Sequence, residues 1–337
     1  MGLMRAHVLE RYGGPEGCRL IDVPVPTHRS RDIRVRVRAA GVNPVDFKFR
    51  QGKLRVILRP KLPFVLGNDL AGEVIAVGRD VKRFRVGDRV FARVAKNRGG
   101  AFAEEACVDD DYAALMPREL DFTAAAAVPL AGLTALQALR DELGVKPGQR
   151  VFISGGAGGV GTFAIQIAKW LGAHVTTTAS NQGEALVRSL GADEVINYTT
   201  QDISKAGRIF DAGFDLIGGK TLELMFEVMR PGAKIVSIAA VPEPQTAMKD
   251  LGGSRALSAL FWIASFGIRW RARRAGVSYR YLFMHPSGSD LAQLGELIER
   301  GTLKVIVDKI YPFAKVSEAL AYVESGRAKG KVVVTMC

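Results

Sequence analysis

Three glycines, Gly156, Gly158 and Gly161, stand between the apolar run Val151-Phe152-Ile153 and a helical pattern formed by Phe163, Ile165, Ile167, Ala168 and Leu171. A buried strand, a glycine turn and a helix start in that order are suited to holding a pyrophosphate. The first glycine permits the tight turn, the second lets the backbone approach the phosphates, and the third lets helix and strand pack closely. The amides of Gly159, Val160 and Gly161 then lie in the first helical turn, where free N–H groups and a partial positive charge favour an anion. The spacing points to a dinucleotide site. A second strand, Val175 to Thr178, runs into Ala179-Ser180-Asn181, and no carboxylate follows until Glu184. An acidic residue at that strand end would bind a ribose 2′-hydroxyl and repel a 2′-phosphate. Its absence favours NADPH over NADH, with Ser180 and Asn181 as hydrogen-bond donors to the phosphate.

Other chemistries find less support. Cys18, Cys107 and Cys337 are far apart and odd in number, so neither a disulfide framework nor a metal cluster is expected, and a reducing, cytoplasmic setting fits best. His7, His28, His174 and His285 are scattered without metal-ligand spacing. The residues up to Gly14 include Arg5, Glu10 and Arg11 and lack the apolar core of a secretory signal. Lys and Arg number 47 against 34 Asp and Glu, a formal charge of +13, yet no nucleic-acid-binding motif accompanies them. Much of the excess falls between Leu251 and Arg280, which contains Arg255, Arg269, Arg271, Arg273, Arg274 and Arg280 and no acid.

The elements that must position these groups fall into two textures. From Arg5 to about Val128 the chain is rich in strand patterns: Ile33-Arg-Val-Arg-Val-Arg alternates with period two, and Leu70 to Gly78 and Arg89 to Val94 flank the turn Val86-Gly-Asp-Arg89. Short strands so spaced predict a small barrel. Thr123 to Leu139 reads as helical, and strands then alternate with helices at 150–153, 173–178, 194–197, 214–217, 234–238 and 279–284. That is the pattern of a doubly wound parallel sheet. The tail returns to strands at 304–310 and 331–335 around a helix at 316–326. A dinucleotide domain inserted into a barrel-like domain built from both chain ends is the simplest architecture.

On Ala40-Gly-Val-Asn-Pro-Val-Asp46, Val65-Leu-Gly-Asn-Asp-Leu-Ala-Gly-Glu-Val74, Gly87-Asp-Arg-Val90, Gly132-Leu-Thr-Ala135, the glycine motif and Gly326-Arg-Ala-Lys-Gly-Lys331, the chain resembles the zinc-independent medium-chain dehydrogenases/reductases of the quinone oxidoreductase and alkenal/enone reductase branch. The resemblance implies an α/β protein: a GroES-like catalytic domain over residues 1–124 and 287–337, with a Rossmann NADPH-binding domain over 125–286. Zinc-dependent relatives carry a Cys within the segment that here reads Asn43-Pro-Val-Asp46 and a His-Glu pair where this chain has Asn68-Asp69, so no metal is expected. The resemblance further places Tyr198 at the 2′-phosphate, and Thr134, Ile217, Ser237 and Ile238 around the nicotinamide or its ribose. Lys48 is implied near cofactor and substrate, and Phe283, Arg327 and Lys329 as further cofactor contacts.

The chemistry so implied is hydride transfer from NADPH to a small electrophile, either a quinone or the β-carbon of an enal or enone. Negative charge then develops on the acceptor oxygen and must be met by fixed donors in a dry site, for which Lys48, Asn43 and Thr134 are the candidates. Tyr281 and Lys48 are the candidate proton donors. An enoyl-thioester reductase and a non-catalytic NADPH-binding protein are the alternatives. The Arg-rich stretch, with Ala256 to Ile268 before it, is too short to span a bilayer. It reads first as a helix folded over the cleft or a contact in a homodimer, ahead of a surface for anionic membrane. A nucleic-acid partner is not expected.

Overall fold

A computed structural model of the chain describes residues 2–58 and 60–336. The fold consists of two compact units: residues Met1–Leu133, Pro286–Gly301 and Val305–Cys337 form the first, and Thr134–His285 with Thr302–Lys304 the second. The boundary expected after residue 124 therefore lies inside the first unit.

The first unit opens with β1 (Leu3–Leu9) and β2 (Cys18–Pro24), an antiparallel pair, and β3 (Asp32–Val42) follows. Along β3, Ile33, Val35 and Val37 are buried while Arg34, Arg36 and Arg38 reach outward, as the alternation requires. A short helix, α1 (Pro44–Arg50), precedes β4 (Phe64–Val65), β5 (Asp69–Val77), β6 (Arg89–Arg93), β7 (Glu105–Asp109) and β8 (Ala113–Leu115). The register of β3 on β5 shifts twice, after Arg34 and after Val37. Bulges of this kind bend a strand and increase its twist.

The single helix expected over 123–139 is divided. The described chain forms α2 (Phe122–Ala126), capped by the Asp121 carboxylate at 2.7 Å from the Ala124 amide, and α3 (Pro129–Leu136). Pro129 has no N–H to continue a helix through that point. A wide π-helical turn, Gln137–Leu143, follows α3 and closes at Gly144 in the left-handed region.

The second unit alternates β9 (Arg150–Ile153), α4 (Gly159–Trp170), β10 (His174–Ala179), α5 (Asn181–Ser189), β11 (Glu194–Asn197), β12 (Phe210–Asp215), α6 (Gly219–Val228) and β13 (Met229–Ser237). Two helices, α7 (Arg255–Ala264) and α8 (Phe266–Ala275), precede the last strand, β14 (Ser278–Tyr281). All pairings are parallel, in the order β11-β10-β9-β12-β13-β14. The strand order reverses between β9 and β12, and in such sheets ligands bind outside the carboxyl ends of the strands at that switch point. Phe152, Phe210, Met225 and Ile235 are fully buried within one apolar cluster of this unit.

The chain then re-enters the first unit with α9 (Gly288–Glu299), β15 (Val307–Pro312), α10 (Val316–Glu324) and β16 (Lys331–Thr335). β16 adds antiparallel to β3, completing a sheet with the path β15-β16-β3-β5-β6-β8, with β7 also on β3. A second sheet of this unit runs β2-β1-β4.

Candidate functional site

At the switch point each glycine of the motif has a distinct physical reason. The tight turn expected of Gly156 falls instead to Gly155, just before the motif, which takes φ +68°, a value that favours glycine, and whose amide donates to the Thr178 hydroxyl at 2.8 Å. A Cβ at Gly156 would stand 2.3 Å from Thr177 Oγ1, and one at Gly161 would stand 2.4 Å from the Gly155 carbonyl oxygen and 2.6 Å from that of Gly156. Both are therefore demanded by packing within the unit. Gly158 is different: its φ of −77° suits any residue, and its Cβ would meet only the Gly155 oxygen, at 3.4 Å. No side chain caps α4 at Gly158, so the helix leaves the amides of Gly159, Val160 and Gly161 unpaired by any internal cap. The loop presents helix-start amides as donors, and at Gly158 it carries a glycine that packing within the unit does not force.

A buried carboxylate fixes the neighbouring strand ends. Asp215 accepts from the Ser154 hydroxyl at 3.2 Å, the Ser237 hydroxyl at 2.7 Å, and the amides of Ile217 and Gly218 at 3.1 and 2.9 Å. It thereby ties together the carboxyl ends of β9, β12 and β13. Sequence reading missed it, although an acid ending a strand just before Gly218-Gly219 is a usable signal. The same bonds revise the expectation for Ser237. Its hydroxyl also accepts from the amides of Ala239 and Ala240 at 3.2 and 3.1 Å, so its side chain positions the loop and is not left to contact a ligand. Ile217 is 56% exposed and leans over Gly155, while Ile238 accepts from the Tyr281 hydroxyl at 3.3 Å. Burial pushes the Tyr281 phenol up to about 12, which makes it a reluctant proton donor.

At the ends of β10 and β11, Ala179 pairs with Asn197, and the Tyr198 amide donates to the Ala179 carbonyl at 3.3 Å. Ser180, Asn181 and Tyr198 are thus brought together. Asn181 accepts from the Asn197 amide, Ser180 begins α5 without spending its hydroxyl on the cap, and Tyr198 is exposed. The first acid beyond the strand, Glu184, is paired with Arg188 at 2.8 Å.

Arg280, the last arginine of the Arg-rich stretch, is internal. It bonds both oxygens of Asp250 at 2.7 Å and Glu243 at 3.0 Å, with Glu142 at 3.4 Å. Asp250 also accepts from the Phe283 amide at 3.0 Å, so this hub sets the chain leaving β14. Thr134 is buried on α3.

In the first unit, two sequence motifs interlock. Asn43 caps α1, its amide donating to the Asp46 carboxylate at 2.8 Å, and Asn68 donates to the other oxygen of Asp46 at 2.6 Å. The Asn43 side chain donates to Asp69 at 2.9 Å and to the Gly41 carbonyl at 3.3 Å, and accepts from the Lys331 ammonium. Lys331 also lies 3.7 Å from Asp69, and the second oxygen of Asp69 accepts from the Leu130 amide at 3.0 Å. Arg93, buried opposite Asp69 across β5 and β6, completes a group of two acids and two cations. The expectation that Asn43 offers a donor to a reacting oxygen is corrected: both amide hydrogens are engaged and the residue is 1% exposed, so it is a positioning residue. Burial raises Asp46 to about 7 and raises Asp69, and it lowers Lys331.

Lys48 lies half-buried on α1, with no carboxylate paired to it among the described residues, and burial with the nearby charge of Lys53 lowers its pKa. Arg327 is exposed and Lys329 half-buried beyond α10, the Lys329 amide donating to Asp308 at 3.2 Å.

At this interlock a zinc ion fits poorly. Asn43, Asp46, Asn68 and Asp69 include no thiolate or imidazole, and an ammonium already stands among them. Among the described residues, Asp109, Asp110 and Asp111 alone group three candidate ligand atoms, and Arg31 and Arg83 already pair with that cluster.

A doubly wound sheet with an amide cradle at its switch point, together with a separate strand-rich unit built from both chain ends, defines a two-domain dehydrogenase or reductase. Comparison with known proteins agrees. Residues 29–118 match the model of the alcohol dehydrogenase GroES-like domain and residues 190–334 that of the zinc-binding dehydrogenase. The mitochondrial NAD(P)H oxidoreductase RTN4IP1 of Danio rerio is 35% identical, over 99% of this chain and 92% of its own length. The chloroplastic NADPH-dependent alkenal/one oxidoreductase of Arabidopsis thaliana is 34% identical, over 98% of this chain and 79% of its own. The solved quinone oxidoreductase of Coxiella burnetii superposes with a TM-score of 0.86 at 31% identity, each chain covered completely. The chain belongs to the medium-chain dehydrogenase/reductase family of oxidoreductases, in the branch of the quinone and alkenal/one oxidoreductases.

Proposed function

We propose that the protein is a zinc-free, NADPH-dependent reductase that delivers hydride to a quinone or to the carbon–carbon double bond of an enal or enone. The observation that carries this reading is the cradle at Gly158: unpaired helix amides, and a glycine whose missing Cβ leaves room that the protein itself does not fill. The names of the relatives support the cofactor and the acceptor classes. The phosphorylated form of the dinucleotide is supported by the β10 end, where Ser180, Asn181 and Tyr198 gather and Glu184 is neutralised by Arg188. A zinc-free reaction is supported by the Asn43, Asp46, Asn68 and Asp69 set, which a lysine already serves. A reducing compartment such as the cytosol belongs to the same proposal, supported by the buried, unpaired thiols of Cys18 and Cys107.

When bound, the reduced nicotinamide would supply the hydride. In the first unit, Lys48 is the residue proposed to meet the charge that develops on the acceptor oxygen. Its ammonium is partly stripped of water and pairs with no acid among the described residues, so it is available to a developing anion and its proton is more easily released. Asn43 and Asp46 hold α1, and thereby Lys48, in place.

The deciding experiment follows oxidation of NADPH and NADH against matched quinones, enals, enones and enoyl thioesters, with product analysis and metal content measured on the same sample. NADPH-dependent turnover of quinones or enones in metal-free protein is expected. Preferred turnover of thioesters would move the reading to an enoyl reductase, and NADPH binding without turnover of any acceptor would overturn it. Lys48→Ala should lower kcat/KM roughly a hundredfold while leaving the NADPH dissociation constant unchanged.

A further inference from the structure

Helices α7 and α8 carry two apolar stripes where one suffices. The inward stripe is accounted for: Phe261 and Ala272 are buried, and Ala272 joins a cluster with Leu222, Met225 and Phe226 of α6, against which Ile268 also packs. The outward stripe is open. Leu260 is 48% exposed, Trp262 54%, Ile263 69%, Phe266 57% and Trp270 49%. Leu260, Ile263, Phe266 and Trp270 recur at spacings of three, three and four, which places them along one side of the helical segment. A helix folded against its own protein explains the first stripe and leaves the second without a partner.

The charge around the open stripe selects the partner. Arg255, Arg269, Arg271, Arg273 and Arg274 border it, and no acid occurs from residue 251 to 280. Arg271 is balanced by Glu223, whereas Arg255 and Arg273 pair with no carboxylate among the described residues. Arg274 stacks on Trp270 at 4.6 Å and Arg269 on Trp262 at 5.3 Å, holding cation and indole side by side at the rim. A twofold dimer through this face would set arginines against arginines, because an isologous contact meets its own copy. A nucleic acid would satisfy the arginines and give Leu260 and Ile263 nothing to bury in. An anionic lipid surface satisfies both: aliphatic and aromatic side chains enter the acyl boundary, tryptophans sit at the headgroup level, and arginines meet the phosphates. No described helix is long and apolar enough to cross a membrane, so the contact would lie in the plane of the surface.

We infer that α7 and α8 form a docking face for an anionic membrane. A consequence, which rests on the reductase reading, is that the enzyme would meet acceptors dissolved in lipid. The docking itself does not depend on turnover and fails or stands separately. The test is flotation of the full-length protein with phosphatidylcholine vesicles containing phosphatidylglycerol, against phosphatidylcholine alone. Wild-type protein should float with the anionic vesicles and be released by high salt. Ile263→Ser with Phe266→Ser should abolish flotation, and Arg273→Glu with Arg274→Glu should weaken it by at least about tenfold. Unchanged melting temperatures and circular dichroism would show that these exposed substitutions leave the fold intact. The inference is overturned if wild-type protein fails to float at low salt, or if neutral vesicles bind equally well with the arginines reversed. It is also overturned if Ile263→Ser converts a solution dimer to monomer, or if an RNA oligonucleotide binds as tightly and indifferently to the serine variants.

Discussion

Two positions in the second unit separate what packing demands from what a ligand demands. Gly161 and Gly158 belong to one motif, yet a methyl at 161 would overlap two carbonyl oxygens while a methyl at 158 makes one ordinary contact. Gly161→Ala should therefore destabilise the fold, whereas Gly158→Ala should melt like the wild type and bind NADPH at least about tenfold more weakly, because its methyl fills the pyrophosphate's approach. Calorimetric titration beside a melting curve distinguishes the two. Ser180 makes the same argument for the 2′-phosphate. It begins α5 without using its hydroxyl as a cap, and aspartate is at least as good a residue at that position. Ser180→Asp should leave stability intact and place a negative charge against the phosphate. The ratio of kcat/KM for NADPH to that for NADH should fall by at least about tenfold, since like charges in contact cost more than the 1.4 kcal/mol this represents. An unchanged ratio would remove Ser180 from the phosphate site.

At the level of elements, the strand ends around the switch point are held by one carboxylate with four donors. Asp215→Ala would leave two buried hydroxyls and two amides without their acceptor, at about 1–3 kcal/mol for each group that water cannot reach. A loss of at least about 3 kcal/mol in chemical denaturation is expected, with weaker NADPH binding as β9 and β13 lose their common anchor; Asp215→Asn should be intermediate. How much of this could be read in the sequence depends on range. The glycine loop, β11 and the alternation in β3 declare themselves locally, and they fall where expected. The strand expected at 214–217 instead spans Phe210–Asp215, because Asp211 and Gly213 interrupt the apolar run while pairing with β9 sets Ala212 opposite Val151. The interlock of Asn43 with Asp69 and Lys331 was illegible for a different reason. The partners are 26 and 288 positions away, and only the pairing of β16 and β5 with β3 brings them together. Sequence alone leaves Asn43 open between a donor to substrate and a structural residue before Pro44, and these long-range bonds decide for the second.

For the whole molecule, stability against pH is governed in part by two buried groups of the first unit with opposite leanings. His7, on β1, is 3% exposed with Nδ1 unpaired, and burial lowers it to about 4. The unfolded chain, with histidine near 6.5, binds more protons than the folded chain between those values, so stability is complete above about 6.5 and is lost as pH falls toward 4. By pH 4 the loss reaches about 3 kcal/mol. Asp46 runs the other way: burial raises it to about 7, so the folded state holds a proton that the unfolded carboxyl, near 3.8, has released. Its contribution is complete below about 4 and disappears as pH rises to about 7. The two slopes oppose each other across one window, and a flat wild-type profile would conceal both. Denaturation of wild type, His7→Phe and Asp46→Asn at several pH values resolves them as differences. Stability of wild type minus His7→Phe should rise from pH 4 to 6.5, because the phenylalanine variant has no proton to exclude. Stability of wild type minus Asp46→Asn should fall between pH 4 and 7, since the asparagine keeps a neutral side chain throughout. If the second difference were flat, Asp46 would be charged in the fold at all these pH values. Lys331 and Arg93 would then be holding two buried anions together, and Lys331→Met should cost about 3–5 kcal/mol even at pH 5.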